Sequence, residues 1–199
     1  MAVPFVGLTG GLGAGKSTAL ALLEELGAAT LSSDAVVHEL LATDELRELV
    51  AERLGPEVVA GGALDRSRIA ERVFADDEAR AWLEGELWPR VGARVASWRA
   101  GLEAAEPPPR AAIVEVPLLF ESGMEGGFDA TIAVVADEAL RERRAGARGH
   151  ASVAERAGRQ LTQDEKAARA DHAIRNDGSV DALRSALAAV LRQLDAQFA

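Results

Sequence analysis

Gly10-Gly11-Leu12-Gly13-Ala14-Gly15-Lys16-Ser17 follows an apolar run from Pro4 to Leu8 and opens a stretch rich in alanine and leucine. The spacing GxxxxGK[ST], set between a strand and a helix, is that of a phosphate-binding loop. Its glycines let backbone N–H groups curl around a polyphosphate, a lysine places a compact charge on the outer phosphates, and a hydroxyl can reach Mg²⁺. The chain holds 20 arginines but only two lysines, Lys16 and Lys166. A lysine kept inside the loop therefore reads as functional, because an ammonium fits a tight cradle where a guanidinium fork does not. Lys166 stays open, with a solvated helix position as the plainer reading.

Working outward from the loop, Lys16 to Leu26 reads as a helix stopped by Gly27, and Ala28 to Leu31 as a second strand. Ser32-Ser33-Asp34 then leads into a helix from Ala35 to Leu41, which puts Asp34 at a strand end entering a helix. Thr43 or Asp44 can cap the next helix, which breaks at Gly55-Pro56; Gly61-Gly62 marks a turn. Leu64 to Ala105 is helical in pattern, with Pro89 expected to kink or divide it. That stretch carries Trp82, Trp88 and Trp98; Trp82 and Trp98 read as core, whereas Trp88 stays ambiguous.

After Pro107-Pro108-Pro109, a strand from Ala111 to Val114 ends in Glu115, and a carboxylate at the end of a buried strand is costly unless used. Further strands are expected at Ala130 to Val135 and Asp171 to Ile174, then a turn at Asn176-Asp177-Gly178 and a terminal amphipathic helix from Asp181 to Phe198. Strands alternating with helices imply a three-layer α/β/α domain on a parallel five-stranded sheet, with ligands at the carboxyl ends of the strands. We expect one domain over residues 1–199, with a core of about 1–60 and 107–199, a helical substrate-binding insertion of about 61–106 and a lid of about 141–160.

The formal net charge of −10 argues against a general nucleic-acid binder. Arg141, Arg143, Arg144, Arg148, Arg156 and Arg159, against Glu142 and Glu155, nevertheless make a local +4. Both a solvated helix face and a basic flap over a nucleotide triphosphate remain open for it. No apolar run is long enough for a membrane span, and no secretory signal is legible, so a cytoplasmic protein is expected. The absence of cysteine removes thiolate chemistry and disulfides.

Several segments together resemble the dephospho-CoA kinase family: Gly7 to Ser17, the Asp34 turn, Leu64-Asp65-Arg66 through Phe74, Leu87-Trp88-Pro89, Val114 through Glu121, and Lys166 through Gly178. The resemblance spans nearly the whole chain. It implies phosphorylation of the ribose 3′-hydroxyl of dephospho-CoA by ATP with Mg²⁺, and a phosphate-loop kinase fold. ATP would lie on Gly11, Gly13, Ala14, Gly15, Lys16, Ser17 and Thr18, with Arg148, Asn176 and Gly178 as further contacts. Asp34, Lys16 and Arg144 would be catalytic. The acceptor would lie in a cleft between sheet and insertion, against Asp34, Leu118, Leu119, Phe120 and Glu121, and Ser17 and Glu115 would serve the metal. The expected partners are these small molecules, with no nucleic acid and no membrane, in a monomer or weak homo-oligomer.

Three positions depart from the family pattern. Ser32 stands where Asp is often found, Trp88 where His precedes proline, and Glu115 where Asp is common. A nucleoside or nucleotide kinase with a related core, and a nucleotide switch without transfer, are the competing readings of the loop.

Overall fold

The computed structural model describes residues 3–146 and 160–198. Five strands form one parallel sheet: β1 (Phe5–Thr9), β2 (Ala29–Ser32), β5 (Ala112–Glu115), β6 (Ala130–Val135) and β7 (His172–Arg175), in the order β2-β5-β1-β6-β7. Every residue of β1, β5 and β6 is buried, as expected of strands covered on both faces. The strand alternation sends Val6, Leu8, Ile132 and Val134 to one face, where they meet Leu22 and Leu23 of α1 (Lys16–Glu25) and Leu187, Leu191 and Leu194 of the C-terminal helix. Each such leucine, fully buried, contributes about 1.5–3 kcal/mol relative to exposure.

The other face carries Phe5, Gly7 and Thr9. Phe5 stacks on Phe128 with ring centroids 4.6 Å apart, and a side chain at Gly7 would run into Leu119 and Phe128. The Pro117–Phe128 segment thus covers the sheet where α1 does not.

Residues Ser33–Trp98 form a second compact unit, which begins and ends earlier in the chain than the expected insertion of about 61–106. It contains α2 (Ser33–Leu41), α3 (Asp44–Leu54), the hairpin β3 (Val59–Ala60) and β4 (Ala63–Leu64), α4 (Arg66–Ala75) and most of α5 (Asp77–Glu103). The reason is a core of its own: Leu41, Leu46, Val50, Leu54, Val58, Ile69, Leu83 and Leu87 cluster together, so α2 and α3 pack with the helices that follow them. Gly61 and Gly62, at φ 59° and 83°, make the tight hairpin turn.

Pro89 does not divide the long helix; α5 runs through it, and the break falls at Asp76. The Asp76 carboxylate accepts the N–H groups of Glu78 and Ala79, both at 3.0 Å, so it starts α5 by capping it. Trp82 is half-buried against the helical core and Trp98 is half-buried, while Trp88 is 58% exposed.

The sheet unit is completed by α6 (Glu138–Gly146), α7 (Gln163–Arg169) and α8 (Val180–Gln197). Thr162 and Glu165 form a reciprocal capping box at the start of α7, and Ser179 caps α8.

Candidate functional site

The register fixes where chemistry can occur. Glu115, the last residue of β5, lies opposite Leu8 of β1 on one side and Ser32 of β2 on the other. The carboxyl ends of three strands therefore stop at one level, with the glycine loop leaving β1, the central strand, at Gly10. Such an edge is where open parallel sheets bind ligands.

The loop is shaped by conformations that only glycine tolerates. Gly13 and Gly15 take φ of 77° and 100°. A Cβ on Gly13 would sit 2.4 Å from the Arg141 carbonyl oxygen, and one on Gly15 2.2 Å from Asn176 Nδ2. Gly15 is also the N-cap of α1 and offers no side chain to its first N–H groups, and the first turn of α1 carries no acidic residue. Backbone N–H groups at a helix start with no side-chain cap are donors from which an anion can accept.

Around this loop the sheet unit gathers several groups. Lys16 Nζ lies 3.8 Å from Glu115 Oε1, both side chains being largely buried, and donates to Gly11 O at 3.4 Å. Asn176 Nδ2 donates to Ala14 O at 2.8 Å in a buried hydrogen bond. Arg141 Nε donates to Leu12 O at 3.0 Å. Arg144 Nη1 donates to the Asn176 carbonyl at 3.1 Å, so it braces the turn that braces the loop. Beside the loop a cleft of about 470 Å³ is lined by Leu12, Asp137, Arg141, Gln160, Gln163 and Arg175, among others.

Ser17 is exposed at the start of α1 and Thr18 partly so, which leaves the serine hydroxyl accessible. Glu115 is only 7% exposed. No cluster of three or more His, Cys, Asp or Glu side chains able to hold a metal occurs among the described residues. A hydroxyl and one carboxylate are hard oxygen donors of the kind Mg²⁺ takes when phosphates and water complete its shell, so the residues fit that ion and not a fully protein-held one.

Of the segment expected to meet the acceptor, Leu118 to Glu121, Leu119 and Phe120 are buried at 0% and 3%, Glu121 is half-buried and Leu118 is exposed. Phe120 lies under the Arg169 guanidinium at 5.0 Å, and Glu121 pairs with Lys166. Gly178 follows the Asn176 turn. Asp34 belongs to the helical unit, where it is exposed in the first turn of α2; that helix begins at Ser33, not Ala35, so Asp34 is already helical. Arg148, Arg156 and Arg159 fall outside the described residues.

Three groups escaped the sequence reading. Arg141 reads in the sequence only as one member of a basic run, and Gln163, whose Nε2 stands over Gly11, is not marked out as an individual residue. Lys166 reverses its reading as a solvated position: it is 0% exposed, with Nζ 2.9 Å from Pro117 O and 2.8 Å from Glu121 Oε1.

Residues 4–182 match the family model for dephospho-CoA kinase. A dephospho-CoA kinase of Deinococcus radiodurans is 40% identical over 193 residues, covering 96% of this chain and 92% of that one. Among solved structures, a Thermus thermophilus protein superposes with a TM-score of 0.82 at 37% identity, covering 97% of this chain and 98% of the other. The dephospho-CoA kinase from Campylobacter jejuni does so with a TM-score of 0.70 at 26% identity, covering 98% of each chain.

Proposed function

Since the chain belongs to the dephospho-CoA kinase family and is thus a kinase that uses ATP to phosphorylate dephospho-CoA in the last step of coenzyme A synthesis, we propose which of its residues carry out the transfer. ATP lies along Gly11, Gly13, Ala14, Gly15, Lys16, Ser17 and Thr18. The first N–H groups of α1 and the Lys16 ammonium hold its phosphates. The observation that carries this reading is the uncapped, acid-free start of α1 beside Lys16 and Glu115. Arg141 and Asn176 keep the loop in shape, Arg144 and Arg148 act on the phosphates or the base, and the turn to Gly178 borders the adenine.

Ser17 and Glu115 would hold Mg²⁺, which when bound neutralises charge on the outer phosphates. Asp34 receives or directs the proton of the ribose 3′-hydroxyl while that oxygen bonds to the γ-phosphorus and the bond to the ADP oxygen breaks. In support, β2 delivers the chain to Ser32 level with Glu115, and Asp34 follows two residues later with an exposed carboxylate. Leu118, as the exposed member of its segment, contacts the acceptor, while Leu119, Phe120 and Glu121 shape that contact from within. A cytoplasmic location and a monomer or weak homo-oligomer complete the proposal.

ADP release measured with ATP, Mg²⁺ and dephospho-CoA tests it. Turnover that depends on this acceptor, and exceeds that on free nucleotides, supports the assignment; equal or better turnover on a free nucleotide would contradict it.

A further inference from the structure

We infer that Lys166, paired with Glu121, is a positioning residue for phosphoryl transfer, acting through the carbonyl of Pro117; this deepens the reading above and rests on it. Among the described residues, Lys166 is the most deeply buried charged side chain, at 0% exposure. Its ammonium donates to Pro117 O at 2.9 Å and meets Glu121 Oε1 at 2.8 Å. That same carboxylate oxygen accepts the N–H of Leu161 at 2.8 Å, which fixes the anion in turn.

The carbonyl is the informative partner. The Thr9 hydroxyl also donates to Pro117 O, at 3.2 Å, so both acceptor positions of one main-chain oxygen are taken. Thr9 is the last residue of β1, directly before Gly10 and the loop. Pro117 is two residues beyond Glu115, whose carboxylate faces Lys16 at 3.8 Å. One buried cation thereby ties α7 to the two strand ends that carry the loop and its facing carboxylate. Burying a charge pair is costly where apolar packing would serve stability as well or better, so the pair is explained by what it holds in place. A point-like ammonium, in a chain whose other basic side chains are arginines save Lys16 and the histidines, suits a single carbonyl.

The test compares Lys166→Met, Thr9→Val and the double variant Lys166→Met/Glu121→Gln with the wild type, measuring kcat and KM for dephospho-CoA and ATP together with the melting temperature. The double variant removes both buried charges, so it recovers stability that the single one loses to an unpaired carboxylate. We expect it to melt near the wild type yet keep kcat reduced by about tenfold or more, while in Thr9→Val, which leaves the acceptor contacts untouched, KM for dephospho-CoA should be little changed. Thr9→Val should lower kcat in the same direction, and combined with Lys166→Met it should cost less than the product of the two. Recovery of kcat in the double variant to within about twofold of the wild type would overturn the proposal and leave a purely structural pair. Should the single variant fail to fold, the double variant decides. A wild type without turnover on dephospho-CoA would overturn this inference along with its premise, whereas normal wild-type turnover with unaltered variants overturns the positioning role alone.

Discussion

Asn176 and Ala14 are 162 residues apart in the chain, yet the Asn176 amide donates to the Ala14 carbonyl at 2.8 Å in a buried hydrogen bond. The N–H of Asn176 meanwhile donates to Val135 O at 2.8 Å and its carbonyl accepts from Arg144. The phosphate loop therefore takes its shape from the far end of the sequence as much as from its own glycines.

Replacing Asn176 by alanine leaves the Ala14 carbonyl buried and unpaired, at a cost of about 1–3 kcal/mol. Urea unfolding should register that loss, and KM for ATP should rise because the loop relaxes. A variant with unchanged stability and unchanged KM would show that the bond is not a constraint on the loop.

Gly15→Ala tests the same contact from the opposite side. Its φ of 100° disfavours any L side chain, and the new Cβ would stand 2.2 Å from Asn176 Nδ2. Strain of about 1–3 kcal/mol and a displaced asparagine are expected together. Calorimetric titration with ATP should show affinity reduced by at least about tenfold, since that is what about 1.4 kcal/mol of binding energy amounts to.

Lys16→Ala removes the cation facing Glu115. We expect kcat/KM to fall by about a hundredfold or more, with weaker ATP binding, because charge on the moving phosphoryl group loses its fixed partner. Steady-state kinetics at saturating dephospho-CoA provide the check; wild-type turnover would remove the loop from the reaction.

Stability should fall in acid for a reason that is local to helix starts. Asp65, held mainly by the Ser67 hydroxyl and by the Arg68 N–H, Asp76, held mainly by the Ala79 N–H, Glu165, held by the Thr162 hydroxyl, and Asp177, held by the Asp137 N–H, all have carboxyl pKa values lowered below the usual range. A lowered folded-state pKa means stability that is present above the unfolded value, about 4, and lost as pH falls through the folded one. Melting temperatures from pH 7 to pH 3 should thus decline at the acid end, and Asp76→Asn, which keeps a cap without a titrating charge, should flatten that decline. A slope unaltered by this substitution would refute the contribution of Asp76.

The first βα unit was legible because its signals agree: an apolar run, glycines at the required spacing and helix formers after Lys16 all point to one local structure. Thr43 capping α3 and the Gly61-Gly62 turn were legible for the same reason, being short-range chemistry. Pro89 misled because a proline weakens only one turn of a helix, whereas Asp76 supplies acceptors that begin a new one. The burial of Lys166 is hidden in the sequence because its partners Pro117 and Glu121 lie over 40 residues away and give no periodic signal. The buried state of Leu119 and Phe120 was equally hidden, since an apolar run beside an acidic residue reads alike whether it faces a ligand or the sheet.

In the proposed transfer, the exposed Asp34 carboxylate would aim an alcohol at a triphosphate held on the start of α1. The most direct measurement is kcat of Asp34→Asn for ADP formation with dephospho-CoA, paired with its affinity for ATP. The account requires kcat to fall by about a hundredfold to ten-thousandfold while ATP affinity stays within about twofold of wild type. Wild-type kcat in that variant would contradict it.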